Sequence, residues 1–206
     1  TMRRHAEEIN VEFEIVDVHQ SLKDEAELCR REIAAAAAGL VKEGEVILID
    51  GGPLTIYLAE ALAKKQDITV ITNALQVYET LRANPDIILI LTGGAYRHSS
   101  QVLVGPTAES ALRELRADRL FVSVAGISLD FGLSHTNISE VTIKQAMIRS
   151  AREVVLLADH TCFEQESTIQ VAGLNVVHKL ITDDALPASI RLELTKLGIQ
   201  ILLANV

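Results

Sequence analysis

Tryptophan is absent from this chain, and aromatic residues make up only 3% of it. The interior must therefore be filled by aliphatic side chains and alanine, drawn from a composition that is 49% hydrophobic. Cysteine is almost as rare. Cys29 and Cys162 are too few for a disulfide framework, and no Cys/His spacing matches a zinc site. Neither a metal nor a resident cofactor is expected. No apolar run approaches the roughly 20 residues that a membrane-crossing helix needs. Thr1-Met2-Arg3-Arg4-His5 lacks the apolar stretch of a signal peptide. These absences point to the cytoplasm and to no membrane partner.

Positive charge is also in short supply. Asp and Glu number 28 against 19 Lys and Arg, for a formal net charge of −9. Binding to nucleic acid is driven by cations that neutralise phosphates. Basic residues gather no further than the adjacent pairs Arg3-Arg4, Arg30-Arg31 and Lys64-Lys65, so the chain by itself is not expected to grip DNA. Thr1 ahead of Met2 is an unusual natural beginning, which suggests a piece of a longer protein. We read 1–25 as an N-terminal linker or remnant and 26–206 as one folded domain, long enough to bury a single large core.

What the chain does have is a rhythm. Val46-Ile47-Leu48-Ile49 runs into Asp50-Gly51-Gly52, Ile68 to Ile71 into Thr72-Asn73, and Ile87 to Leu91 into Thr92-Gly93-Gly94. Further runs end at Ala125-Gly126, at Ala158-Asp159-His160 and at Thr182-Asp183-Asp184, and Ile199 to Leu203 closes the series. Helical patterns lie between them. Leu54, Tyr57, Leu58, Ala61 and Leu62 recur at 3.6-residue spacing behind Pro53, which suits a first helical turn. Ser139 is placed to cap a helix through Met147, Leu28 to Val41 reads as an opening helix, and Pro187 to Leu197 as the last. Aliphatic strands without polar alternation are buried on both faces, which in a strand–helix alternation means a parallel sheet. The expected fold is a three-layer α/β domain, a mostly parallel sheet with helices on both faces. Val102 to Pro106 and Thr168 to Val177 fit poorly and suggest a small antiparallel excursion.

Ligands bind such sheets outside the carboxyl ends of the strands. There the chain carries Asp50-Gly51-Gly52, Thr72-Asn73, Gly93-Gly94, Gly126 and Asp159. The first of these is a strand–glycine–helix turn, in which glycines admit a ligand to the backbone and the helix start offers N–H groups to an anion. A tight turn with no ligand explains the same glycines. Lys144, one turn into its helix, either aims an ammonium at an anion or sits on a solvated face. Ile127 to Ser139, with Asp130, His135, Thr136 and Asn137, reads as a lid or binding loop. His135 and His160 invite acid–base or metal roles, although ordinary loop histidines are the plainer reading. No nucleophile elbow, P-loop or full G-x-G-x-x-G fingerprint is present.

Taken in order, several segments closely resemble the effector domain of DeoR-family regulators. They are Asp50-Gly51-Gly52 with Thr55, Val70-Ile71-Thr72-Asn73, Leu91-Thr92-Gly93-Gly94-Ala95-Tyr96-Arg97, Val104-Gly105-Pro106, Gly126-Ile127, Gly132-Leu133, Glu140 with Ile143-Lys144-Gln145-Ala146-Met147-Ile148, and Leu157-Ala158-Asp159 with Phe163. The resemblance runs from about Ala26 to about Leu203. It implies a fold shared with ribose-5-phosphate isomerase and coenzyme A transferases. It also implies a non-catalytic sensor in a bacterial transcription regulator of carbohydrate metabolism, a homo-oligomer whose ligand is a phosphorylated sugar or related metabolite. A winged helix-turn-helix normally precedes the domain, and nothing here matches it, so operator DNA would be reached only through that missing part. The implied effector residues are Asp50, Gly51, Gly52, Thr55, Thr72, Asn73, Gly93, Gly94, Arg97, Gly126, Glu140, Lys144 and Asp159.

The departures from the family pattern bear on the ligand. Pro53 and Leu54 stand where two threonines are usual, Ala74 where a serine follows Thr-Asn, and Cys162 where a lysine precedes the final Phe. Losing donors and a cation together predicts weaker phosphate-ester binding than those residues would give, because a buried anion without partners is costly. Two other readings remain. One is a sugar-phosphate isomerase on the same architecture, with Glu140 and Asp159 as its available acids. The other is a pure oligomerisation module.

Overall fold

The computed structural model describes residues 25–204, and the expectation for 1–24 as a linker lies outside them. A helix, α1, occupies residues 25–39. The strand–helix rhythm then begins with β1 (Val46–Ile49), α2 (Pro53–Leu62), β2 (Ile68–Thr72), α3 (Leu75–Leu81) and β3 (Ile87–Leu91). A hairpin of β4 (Ala95–Arg97) and β5 (Val102–Val104) interrupts it before α4 (Pro106–Glu114) and β6 (Ala117–Val122). A second hairpin, β7 (Gly126–Ser128) and β8 (Gly132–His135), leads into α5 (Ile138–Ser150) and β9 (Ala151–Leu157). The chain ends through β10 (Ile169–Ala172), β11 (Lys179–Thr182), α6 (Ala188–Lys196) and β12 (Gln200–Leu203).

Seven strands form one sheet in the order β12-β11-β9-β6-β1-β2-β3, with every neighbouring pair parallel. The aliphatic runs are what the sequence led one to expect of such a sheet. Ile47, Leu48 and Ile49 of β1 and Leu120, Phe121 and Val122 of β6 are fully buried, because helices cover both faces. From β1 the strand order proceeds outward through β2 and β3, then returns through α4 to place β6 on the opposite side of β1. Right-handed crossovers put the helices of these two directions on opposite faces. Accordingly α2 packs with α3, and α4 with α5. The result is the three-layer α/β fold, with its order reversing between β1 and β6.

The poorly fitting segments are antiparallel. Val102–Val104 pairs with Ala95–Arg97, and Ile169–Ala172 pairs with β8 in a three-stranded sheet of order β10-β8-β7. Leu174–Val176 leaves that sheet as a single 3-10 turn. Most of Ile127 to Ser139, expected as a loop, is the β7–β8 hairpin instead. Gly132 turns it at φ +79°, in the left-handed region that favours glycine, and Leu133 anchors it in the core.

Two local expectations shift. The cap of α5 is Asn137, not Ser139: its side-chain oxygen accepts the N–H groups of Ser139 (3.1 Å) and Glu140 (3.2 Å), and the helix continues to Ser150. Along α2 the inward face is Leu54, Thr55, Leu58, Ala59 and Leu62. Ala61 is exposed and Tyr57 half-buried, which frees Tyr57 for the cleft described below.

Candidate functional site

Where strand order reverses, the connections from two adjacent strands leave in opposite directions and open a crevice at their carboxyl ends. Here that point lies between β1 and β6. A cleft of about 900 Å³ occupies it, bordered by Gly51 and Gly52 beyond β1 and by Ser123, Val124 and Ala125 beyond β6.

The floor is an ion pair. Asp50 ends β1, and its backbone N–H bonds to the Phe121 carbonyl of β6 at 3.1 Å. Lys144 reaches down from α5 and donates to the Asp50 carboxylate and, at 2.8 Å, to the Ser123 carbonyl. Both side chains are only 3% exposed. Burying two charges costs several kcal/mol each, and only a short, well-bonded pairing offsets that. The contact ties β1, β6 and α5 together under the cleft.

The glycines above it are held by packing. A Cβ on Gly51 would lie 2.2 Å from Val102 Cγ1, and one on Gly52 would lie 2.3 Å from Ser123 Oγ. No side chain caps α2, and Pro53 occupies its first position. The helix start thus opens toward the cleft with its N–H groups uncapped by side chains.

The walls carry charge. Arg97, at the end of β4, crosses to Glu140 of α5 with Nε 3.1 Å from Oε1. The other carboxylate oxygen faces His135 Nε2 at 3.7 Å. Burial, and after it the Lys144 ammonium, hold the His135 imidazole below its ordinary value, against the opposing pull of Glu140 and Asp50. On the far side α1 contributes Arg30 and Arg31. Arg31 stacks over the Tyr57 ring at 4.8 Å and pairs with Glu27 and Glu60, each at 2.9 Å. The cleft is thus lined by four cations, Arg30, Arg31, Arg97 and Lys144, and two carboxylates, Glu60 and Glu140.

Of the residues singled out from sequence, Gly51, Gly52, Arg97, Glu140 and Lys144 line this cleft, with Asp50 directly beneath. Thr55, Thr72 and Asn73 are buried beside it and bond backbone. Thr55 Oγ1 donates to Gly52 O at 2.9 Å, Thr72 Oγ1 to Ile49 O at 2.7 Å, and Asn73 Nδ2 to Leu103 O at 3.1 Å. Asn73 Oδ1 is buried with no partner. The remaining four do not border the cleft. Gly94, at φ +114°, lets the chain turn against the Val104 carbonyl, and Gly93 stands just before it. Gly126 packs on the Gln165 carbonyl. Asp159 accepts the Thr161 N–H at 3.0 Å, starting the turn His160–Cys162.

The departures from the family pattern also have places. Pro53 borders the cleft, Leu54 and Ala74 are buried in the core, and Cys162 lies outside the cleft with Sγ 3.9 Å from Asp159. His160 is drawn away to Asp183, its Nδ1 3.0 Å from Oδ1. Of the segment read from sequence as a lid or binding loop, His135, Thr136 and Asn137 do line the cleft. Sequence reasoning missed Ser123, Tyr57 and the α1 arginines as cleft residues. Ser123, polar at the end of an aliphatic run, carried the same signal as Asp50. Nothing local marks the others. Among the described residues no group of three His, Cys, Asp or Glu is arranged to hold a metal. No helix there is long and apolar enough to cross a membrane.

Comparison with known proteins adds four findings. The sequence pattern of the DeoR C terminal sensor domain matches residues 26–184. The HTH-type transcriptional repressor CsqR of Escherichia coli strain K12 is 31% identical over 195 residues, covering 95% of this chain and 72% of that protein. A putative aga operon transcriptional repressor of Escherichia coli O157:H7 is 29% identical over 191 residues, covering 91% and 71%. Among solved structures, a probable sor operon regulator from Shigella flexneri superposes with a TM-score of 0.54 at 13% identity, over 78% of this chain and 86% of that one. That last likeness concerns the fold.

Proposed function

The chain belongs to the DeoR C terminal sensor domain family, and from that premise we propose that its cleft binds a phosphorylated sugar or a related anionic metabolite. The family is one of regulators, so the chain is a sensor and not an enzyme. One observation carries the ligand reading. In a chain of net charge −9, the cleft at the strand-order reversal gathers four cations, Arg30, Arg31, Arg97 and Lys144, of which the last three are held by the carboxylates of Glu27 and Glu60, Glu140 and Asp50. Cations gathered at one cleft of an acidic chain favour an anion that takes the place of a protein carboxylate on one of them. Glu140, Glu60 and the polar groups of Ser123 and Asn137 suit the hydroxyls of a sugar.

The effector residues we assign are Asp50, Gly51, Gly52, Arg97, Glu140 and Lys144. Thr55, Thr72 and Asn73 position them, and the roles of Gly93, Gly94, Gly126 and Asp159 are to shape the strand ends. A ligand that bridges the β4–β5 hairpin and α5 would favour one arrangement of the two over another, which is a population shift. In a cytoplasmic regulator of carbohydrate metabolism, that shift would alter how paired subunits present a separate DNA-binding part. The isomerase alternative had Glu140 and Asp159 as its available acids. Glu140 lines the cleft, whereas Asp159 is spent on its own turn.

Titration calorimetry with a panel of sugar phosphates and their unphosphorylated parents tests the reading. Binding of at least one phosphate ester, and much weaker binding of its parent, is expected. Equal affinity for both would end the anion assignment.

A further inference from the structure

His135 has no part in the effector assignment, yet it stands among the charged groups of the cleft. Its ring is faced by Glu140 and Lys144 of α5, by Asp50 of β1 and by Arg97 of β4. Arg30, Arg31 and Glu60 line the far side. Nδ1 accepts the Asn137 N–H at 3.3 Å, which leaves the ring proton on Nε2, turned toward Glu140. Glu140 is thus shared between a permanent cation, Arg97, and a ring able to become one. Histidine is the side chain that changes charge between about pH 5 and 8, and His135 is the one histidine among the residues that line the cleft.

We propose that His135 is an anion-contacting residue and that anion binding in this cleft is coupled to proton uptake from solvent at its imidazole. This rests on the reading of the cleft as the effector site. The empty cleft keeps the ring neutral, because it is largely buried beside the Lys144 ammonium. An incoming anion that engages Arg97 draws the guanidinium off Glu140. Two negative groups, the anion and the released carboxylate, then face the imidazole, and both favour its charged form. The proton enters at Nδ1 and displaces the Asn137 N–H. Asn137 caps α5, so occupancy of the cleft reaches the start of that helix.

Inorganic sulfate is the probe, since it stays dianionic where a phosphate monoester, with a second pKa near 6, does not. Titrations from about pH 8 to pH 5 should show sulfate binding about tenfold more tightly at the acid end, a tenfold change being one unit of pKa displacement. The heat of binding should vary between buffers of different ionisation enthalpy. His135→Gln should flatten the pH dependence. In the unaltered protein, the NMR titration of the His135 ring should move upward when sulfate is added, a readout that does not need the variant to fold. A pH slope that survives in His135→Gln, or a ring titration that sulfate leaves unmoved, overturns the proposal while the anion reading stands. Failure of both sulfate and every sugar phosphate to bind at any pH overturns the two together.

Discussion

Lys144 and Asp50, 94 residues apart in the chain, meet beneath the cleft with only 3% of either side chain exposed. The pair joins a helix to the ends of the two central strands. Removing one member strands the other charge in the core, a loss of about 3–5 kcal/mol. Lys144→Met should therefore lower unfolding stability by that order in urea titrations. Lys144→Met combined with Asp50→Leu should recover much of it, because an apolar pair strands no charge. Equal losses in the single and double variants would mean that the contact does not act as a pair.

The Asp50-Gly51-Gly52 turn yields a packing prediction. With Val102 Cγ1 only 2.2 Å from where a Gly51 Cβ would stand, Gly51→Ala overpacks against the buried Val102 and should cost about 1–3 kcal/mol. Val102→Ala opens a cavity and destabilises by itself. The double variant should lose clearly less than the sum of the singles, as contacting residues do. Strict additivity would show that the glycine is there for some other reason.

Arg97 bridges the β4–β5 hairpin to α5 and is the cation best placed to exchange a protein carboxylate for a ligand anion. Arg97→Ala should weaken a phosphate ester by about tenfold or more, since a charged hydrogen bond contributes roughly 1.5–3 kcal/mol. The unphosphorylated sugar should be much less affected. Calorimetry on both ligands separates the two, and a parallel loss would point to a general disturbance of the hairpin.

Acid stability should depend on Asp183. Burial alone would raise its carboxyl, but the His160 backbone N–H, the His160 ring and the Cys29 thiol together hold it below the ordinary 3.8. The folded state therefore binds this proton less readily than the unfolded one. The contribution is complete above about pH 4 and fades as pH falls through the depressed folded value. Asp183→Asn should be less stable than the unaltered protein near neutrality and lose less on acidification. Parallel stability–pH curves would refute the assignment.

Both thiols should be unreactive in the folded chain. Burial first, then the Asp183 carboxylate, pushes Cys29 up to about 12; burial, then Asp159, pushes Cys162 up to about 11. Reaction goes through the thiolate, so disulfide reagents at mildly alkaline pH should label the folded protein about a hundredfold more slowly than the unfolded one. Rapid labelling of either residue without unfolding would contradict this.

Much of the fold is legible in residue order. A strand buried on both faces writes itself as an unbroken aliphatic run, so Val46–Ile49, Ile68–Thr72 and Val154–Leu157 stand out from residue type alone. Polar and glycine residues closing those runs mark the carboxyl edge of the sheet. The antiparallel pieces are half legible: Val102–Val104 breaks the rhythm, but its partner Ala95–Arg97 does not announce itself.

Which strand ends share a cleft is another matter. Gly93-Gly94 and Asp159 close aliphatic runs just as Asp50-Gly51-Gly52 does, and by sequence they are equals. They separate because β1 pairs with β2 on one side and with β6 on the other, so the crevice opens at β1 and β6 and not at β3 or β9. Strand order depends on pairings between residues some 70 positions apart, such as Leu48 with Leu120, which no local pattern encodes. His135 is the sharpest case. Its sequence neighbours Glu140 and Lys144 are within a few residues, but Arg97 and Asp50 reach it only through the folded sheet. Residue type and local rhythm determine where strands end; long-range pairing alone decides which of those ends, and which charges, face one another.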